Sequence, residues 1–124
     1  MAAGTYDIVI DQGSTFTLTL TVKEGAANKN LDNYFARGKM RPSLDSTLIY
    51  EFDFTGVTLD DSGVIEMKLP HNATSTDASQ TPLAAGKYVY DVEIYKQNND
   101  QPPVETEVQR LIQGSATVRR EVTR

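Results

Sequence analysis

Ser14-Thr15-Phe16-Thr17-Leu18-Thr19-Leu20-Thr21-Val22 decides the fold class. Phe16, Leu18, Leu20 and Val22 fall on one parity; Thr15, Thr17, Thr19 and Thr21 fall on the other. Successive side chains of a strand point to opposite faces, so this stretch has one apolar face and one hydroxyl face. β-Branched threonine suits a pleated, wetted surface. The segment reads as one strand of an antiparallel sheet lying over a core. Burying its four apolar side chains completely would contribute roughly 6–12 kcal/mol before ordering entropy is subtracted, at about 1.5–3 kcal/mol each.

The same alternation recurs along the chain. Tyr6, Ile8 and Ile10 alternate with Asp7 and Val9, and Phe35, Arg37, Lys39 and Arg41 alternate with Tyr34, Ala36, Gly38 and Met40. Pro42 closes that strand by removing a ladder donor. Residues 47–54 set Leu48, Tyr50, Phe52 and Phe54 against Ile49, Glu51 and Asp53. A short piece over 56–59 follows, then 64–69 with Ile65, Met67 and Leu69 inward, and 87–96 with Tyr88, Tyr90, Val92 and Ile94 on one side. Two last strands, 104–113 and 115–123, are divided by Gly114. Turn chemistry marks 23–30 and Asp60-Asp61-Ser62-Gly63. The longest polar interval, 70–86, is expected to hold one short helical turn over 73–78. About eight strands at spacings of roughly 8–12 residues predict an all-β, antiparallel two-sheet sandwich. No linker divides it, so 1–124 reads as a single domain. Phe16, Leu18, Leu20, Phe52, Phe54, Tyr88, Tyr90 and Val92 are predicted to share its core.

Composition narrows the function classes. The 124 residues include no cysteine, which excludes disulfides, thiolate metal sites and cysteine nucleophiles. Seventeen acids against 12 bases give a net charge of -5, the wrong sign for a nucleic-acid binder. No apolar run is long enough to span a membrane, and the opening MAAGTYD has neither the basic start nor the apolar segment of a secretory signal. Neither a nucleic-acid nor a membrane partner is expected, and export by the secretory route is not.

No catalytic constellation emerges from the residue types. His71 is the only histidine, so a His-based triad or a two-His metal site is unavailable within one chain. Asp60 to Gly63 lacks the further carboxylates of a calcium loop and fits a tight hairpin turn. Asp53, Asp91 and Glu93 fall on outward faces, where acids are solvated charges rather than a facing glycosidase pair. Tyr50, Tyr88 and Tyr90 belong to the inward sets, which leaves Tyr95 outward and alone, too little for a sugar-binding platform. No cofactor or metal is expected. The C-terminal stretch 114–124 keeps its strand pattern to the last residue, so it either pairs inside the sandwich or offers its edge to a neighbouring subunit. Arg119, Arg120 and Arg124 concentrate positive charge there and are the candidate interface residues, suited to carboxylates on a scaffold.

Several stretches resemble small Ig-like β-sandwich virion structural proteins of tailed bacteriophages, frequent among cyanophages. They are residues 6–13 followed by the Phe16 strand, Arg41-Pro42-Ser43, the run 83–93, and the ending 110–124. In outline these are similar to the N-terminal sandwich of baseplate upper proteins. The resemblance covers nearly the whole chain and brings no catalytic motif. It implies a non-enzymatic structural component of the virion, made in the host cytoplasm, in the tail, baseplate or fibre-attachment region. Its implied partners are other virion proteins of that scaffold, with a second copy in a symmetric assembly as a further candidate. Longer relatives continue into a fibre or receptor-binding domain, whereas this sequence ends at Arg124, so a stand-alone module docked on a larger scaffold is expected. The competing readings are a capsid decoration or cement protein, and a carbohydrate-binding module contacting the host surface.

Overall fold

The computed structural model describes residues 4–54, 59–77 and 80–120, and every regular element among them is a β-strand. In chain order the strands are β1 (Gly4–Thr5), β2 (Ile8–Asp11), β3 (Phe16–Thr21), β4 (Lys23–Glu24), β5 (Ala27–Asn28), β6 (Phe35–Arg41), β7 (Tyr50–Glu51), β8 (Val64–Leu69), β9 (Gly86–Gln97) and β10 (Glu105–Arg119). A large sheet runs β1-β10-β9-β6-β7, with β2 also on β10. β3 and β8 form the second sheet, and β4 and β5 a small hairpin.

The expected two-sheet sandwich follows from register. β3 and β8 pair Phe16 with Leu69, Leu18 with Met67 and Leu20 with Ile65, so the apolar parities of both strands share one face. Facing them across the core are Ile8, Ile10, Met40, Tyr88, Tyr90, Val92, Ala116 and Val118 of the large sheet, all buried. Of the predicted core, Phe52, Tyr88, Tyr90 and Val92 are buried, and Phe16, Leu18, Leu20 and Phe54 pack against them half-exposed. The buried tyrosines keep their hydroxyls bonded: Tyr50 donates to Pro82 O at 3.1 Å, Tyr88 to Ala84 O at 2.7 Å and Tyr90 to Tyr6 O. Burial, with Asp7 and Tyr6 adding to it, pushes the Tyr90 phenol up to about 12.

The structure corrects several local expectations. The sandwich is not antiparallel throughout, because β1 and β2 both run parallel to β10. Gly114 permits that approach: a Cβ there would collide with Tyr6 O. The glycine does not divide two strands. β10 is continuous across it, with a register shift between Arg110 and Ile112. Residues 47–54 are not one strand, since the segment changes sheets. Tyr50 pairs with Met40 in the large sheet, and Asp53 then bridges Lys68 on β8. The turn expected over 23–30 is the β4–β5 hairpin, with Gly25 at φ 67°. No helical turn forms among the described residues of 73–78. Thr74 instead bridges Pro82, and Ser75 N–H donates to Thr81 O at 2.8 Å. The turn at Asp60 is as expected, closed by Ser62 N–H on Asp60 Oδ1 at 2.9 Å, with Gly63 at φ 74°. The short piece predicted over 56–59 lies, but for Leu59, outside the described residues.

Candidate interaction face

Pairing of β6 with β9 and of β9 with β10 lines up outward side chains in rows across three strands. Phe35, Tyr95 and Val108 form one row, and Arg37, Glu93 and Arg110 the next. After the register shift in β10, Lys39, Asp91 and Gln113 form a third. The intervening residues Gly38, Met40, Tyr90, Val92 and Ile94 are buried, which turns these rows away from the core. One outer face therefore carries an apolar row followed by two polar ones.

Phe35 is 49% exposed and Val108 46%, although both belong to regular strands. The Phe35 and Tyr95 rings stack at 5.5 Å and 28°. Arg37 lies 4.5 Å from the Tyr95 ring centre. The same guanidinium donates from Nε to Glu93 Oε1 at 2.8 Å and from Nη1 to Glu105. These bonds, to Glu105 first and Glu93 second, stabilise its charge, and Arg37 in turn holds the Glu105 carboxyl below the usual carboxylate range. Asp91 behaves oppositely. Burial pushes its carboxyl up, and Glu93 adds to this, despite Arg110 at 3.4 Å and the nearby charges of Arg41 and Arg37.

An open groove of about 650 Å³ runs along these polar rows, lined by Arg37, Lys39, Arg41, Asp91 and Arg110. Leu44, 80% exposed, stands at its lip. Four cations thus meet Asp91, Glu93 and Glu105 on one face of a chain whose net charge is -5. The groove is locally basic: Arg37 pairs with Glu93 and Glu105, Arg110 with Asp91, and Arg41 donates to Ser46 O at 3.5 Å.

The predicted interface arginines lie elsewhere. Arg119 pairs in register with Asp11 of β2 and donates from Nε to Asp11 Oδ1 at 2.7 Å, so much of its charge is met within the chain. That bond holds the Asp11 carboxyl below its ordinary range. Arg120 is exposed, and Arg124 lies outside the described residues. Through Arg119 the C-terminal segment pairs inside the sandwich, flanked by β9 on one side and β1 and β2 on the other. His71 sits in an exposed turn. Asp91 and Glu93 are outward as expected but not freely solvated, being half-buried among the arginines.

Tyr95 requires correction: it is outward but not alone. Parity had already placed Phe35 with Arg37, Lys39 and Arg41, and Tyr95 with Asp91 and Glu93. The missing information was that β6 and β9 are neighbours, which makes two outward rings a stacked pair. The usable signal was the aromatic residue at an otherwise charged parity in each strand. Among the described residues no group of three His, Asp or Glu side chains is placed to hold a metal ion, and no helix is long and apolar enough to cross a membrane.

No protein-family model matches the chain, and no curated protein matches it in sequence. Among solved structures it is similar to the extracellular domain of the voltage-gated sodium channel beta4 subunit, whose parallel homodimer structures are described as explaining a role in cell-cell adhesion. Identity is 14%, 98% of this chain and 97% of that one are covered, and the TM-score is 0.43. Values this low carry no argument about function, and the sandwich stands on the pairing and burial given above.

Proposed function

We propose that the chain is a non-catalytic docking module of a tailed-phage virion, in the tail, baseplate or fibre-attachment region. It binds another virion protein through the outer face of the large sheet. The observation that carries the docking role is the outward Phe35–Tyr95–Val108 row, exposed at Phe35 and Val108 and bordered by the Arg37–Glu93–Glu105 network. Aromatic residues and arginine are enriched at the energetic centres of protein interfaces, with polar groups at their rims. A pre-ordered arginine loses little further freedom on binding. The basic groove beside the row suits an acidic partner surface. The virion setting comes from the sequence resemblance at residues 6–13, 83–93 and 110–124.

The test is peptide mass spectrometry of purified particles of the phage that encodes the chain, followed by a map of the particle. The chain is expected in fixed stoichiometry, its large-sheet face against a tail or baseplate protein. Absence from purified particles would overturn the virion role, and density on the head shell would overturn the tail placement.

A further inference from the structure

β3 is an edge without protection. Among the described residues the backbone of Phe16–Thr21 pairs with β8 alone, so its far side presents unpaired N–H and C=O groups. The other edges are shorter, partly covered or charged; the flank of β10 over residues 105–111, which has no strand paired to it among the described residues on the side away from β9, carries Glu105, Glu107 and Arg110. Asp53 N–H donates to Lys68 O at 2.7 Å, and Lys68 N–H returns to Asp53 O at 3.0 Å, which covers part of β8. β7 is two residues long, and β2 is four residues long and ends on a charged Asp11. The unpaired end of β6 carries Arg37. From Thr15 to Val22 there is no charge, proline or glycine.

A second observation concerns the core beneath. Ile65, Met67 and Leu69 of β8 are 0%, 0% and 2% exposed, whereas their direct partners Leu20, Leu18 and Phe16 on β3 are half-exposed. Both sets occupy the same face, so parity does not account for the difference. β8 has chain on both flanks, and β3 has it on one.

The third observation is the sequence itself. Thr15-Phe16-Thr17-Leu18-Thr19-Leu20-Thr21 reads as the same apolar/hydroxyl pattern in both directions about Leu18. An antiparallel pairing with itself, about a two-fold axis normal to the sheet, sets Leu18 opposite its own copy. Phe16 then faces Leu20, and Thr17 faces Thr19. Every apolar residue stays on the core side, and the threonines meet on the outer side, where cross-strand Thr pairs are favourable.

We propose that β3 pairs antiparallel with the β3 of a second copy. The two β3–β8 sheets then form one four-stranded sheet, centred on Leu18. The contact is isologous and closed, so it stops at a dimer. It covers the half-exposed flank of Leu18 and Leu20 and satisfies the free backbone edge. The proposal is independent of docking on the large sheet, and its test uses the purified full chain with no particle present.

Sedimentation equilibrium from micromolar to millimolar chain is expected to show a concentration-dependent monomer–dimer equilibrium. Thr17→Lys with Thr19→Lys places like charges opposite one another at both symmetric positions and should weaken the dimer about tenfold or more. Thr17→Glu with Thr19→Lys places opposite charges there and should restore wild-type dimerisation or strengthen it. Both positions are exposed, and a cooperative thermal transition of each diluted monomer confirms that the variant folds; within the chain Thr17 faces Lys68 and Thr19 faces Glu66, so the double-lysine midpoint is the lower of the two. A wild-type chain that stays monomeric throughout overturns the proposal without any variant. So does a double-lysine variant that dimerises like wild type, or a Glu/Lys variant as weak as the double-lysine one.

Discussion

The outer face of the large sheet and the outer side of β3 arise from the same alternation of inward and outward residues, yet their chemistry is opposed. On the large sheet, stacked rings lie beside Arg37, which Glu93 and Glu105 hold. On β3 the outward residues are threonines throughout, and what is left open is backbone at the edge. Side chains that differ in shape and charge recognise a surface unlike themselves, whereas a bare edge with a self-complementary pattern recognises a copy. The contrast continues inward: β8 is sealed and β3 is not.

That inner contrast predicts the largest effect on stability. Met67→Ala should cost about 2–5 kcal/mol in denaturant unfolding, because the site is fully enclosed. Leu18→Ala, its register partner, should cost about half as much in the dilute monomer, since part of its surface is already in water. Equal costs would mean that β3 is as well covered as β8. Gly114→Ala comes next. The added methyl meets the Tyr6 carbonyl, so β1 and the start of β2 must shift off β10, at a cost of about 1–3 kcal/mol. Hydrogen exchange should then rise at Tyr6, whose N–H bonds to Gln113 O, while β3 and β8 amides keep their relative protection.

Most of the fold was legible because alternation reports which face a residue takes. It gave the inward sets of β3, β8 and β9 directly. It could not report neighbours. Nothing in the pattern of Thr47 to Phe54 marks the point where the chain leaves Met40 of one sheet for Lys68 of the other. The parallel placement of β1 and β2 depends on β10 having a free flank and on Gly114 admitting Tyr6. The interaction face was hidden for the same reason: Phe35, Tyr95 and Val108 are far apart in sequence and meet only once three strands are ordered. Arg119 illustrates the converse. Its charge was conspicuous in the sequence, but Asp11, more than a hundred residues earlier, meets it.

The smallest predicted effect separates the two signs of carboxylate on the large-sheet face. Glu105 has its carboxyl lowered by Arg37, so its stabilising contribution is present above the ordinary carboxylate range and is lost as pH falls through the lowered value. Asp91 is raised by burial, so its charged form opposes folding at neutral pH, and that cost disappears as acid protonates it. Asp91→Asn should therefore stabilise the chain slightly at pH 7, within about 0.5 kcal/mol, and the gain should vanish on acidification. Glu105→Gln should act in the opposite direction, lowering stability slightly at pH 7 and converging with wild type in acid. Urea unfolding at the two pH values checks both, and a loss of stability in Asp91→Asn at pH 7 would mean that the Arg110 contact outweighs burial.

Hydroxyl-radical footprinting of the chain, free and on intact particles, tests the docking face most directly. The account predicts that oxidation of Phe35 and Tyr95 falls at least several-fold on the particle, while Tyr6, exposed at the N-terminal edge, is labelled equally in both. Undiminished labelling of Phe35 and Tyr95 on the particle would contradict the assignment of the large-sheet face as the docking surface.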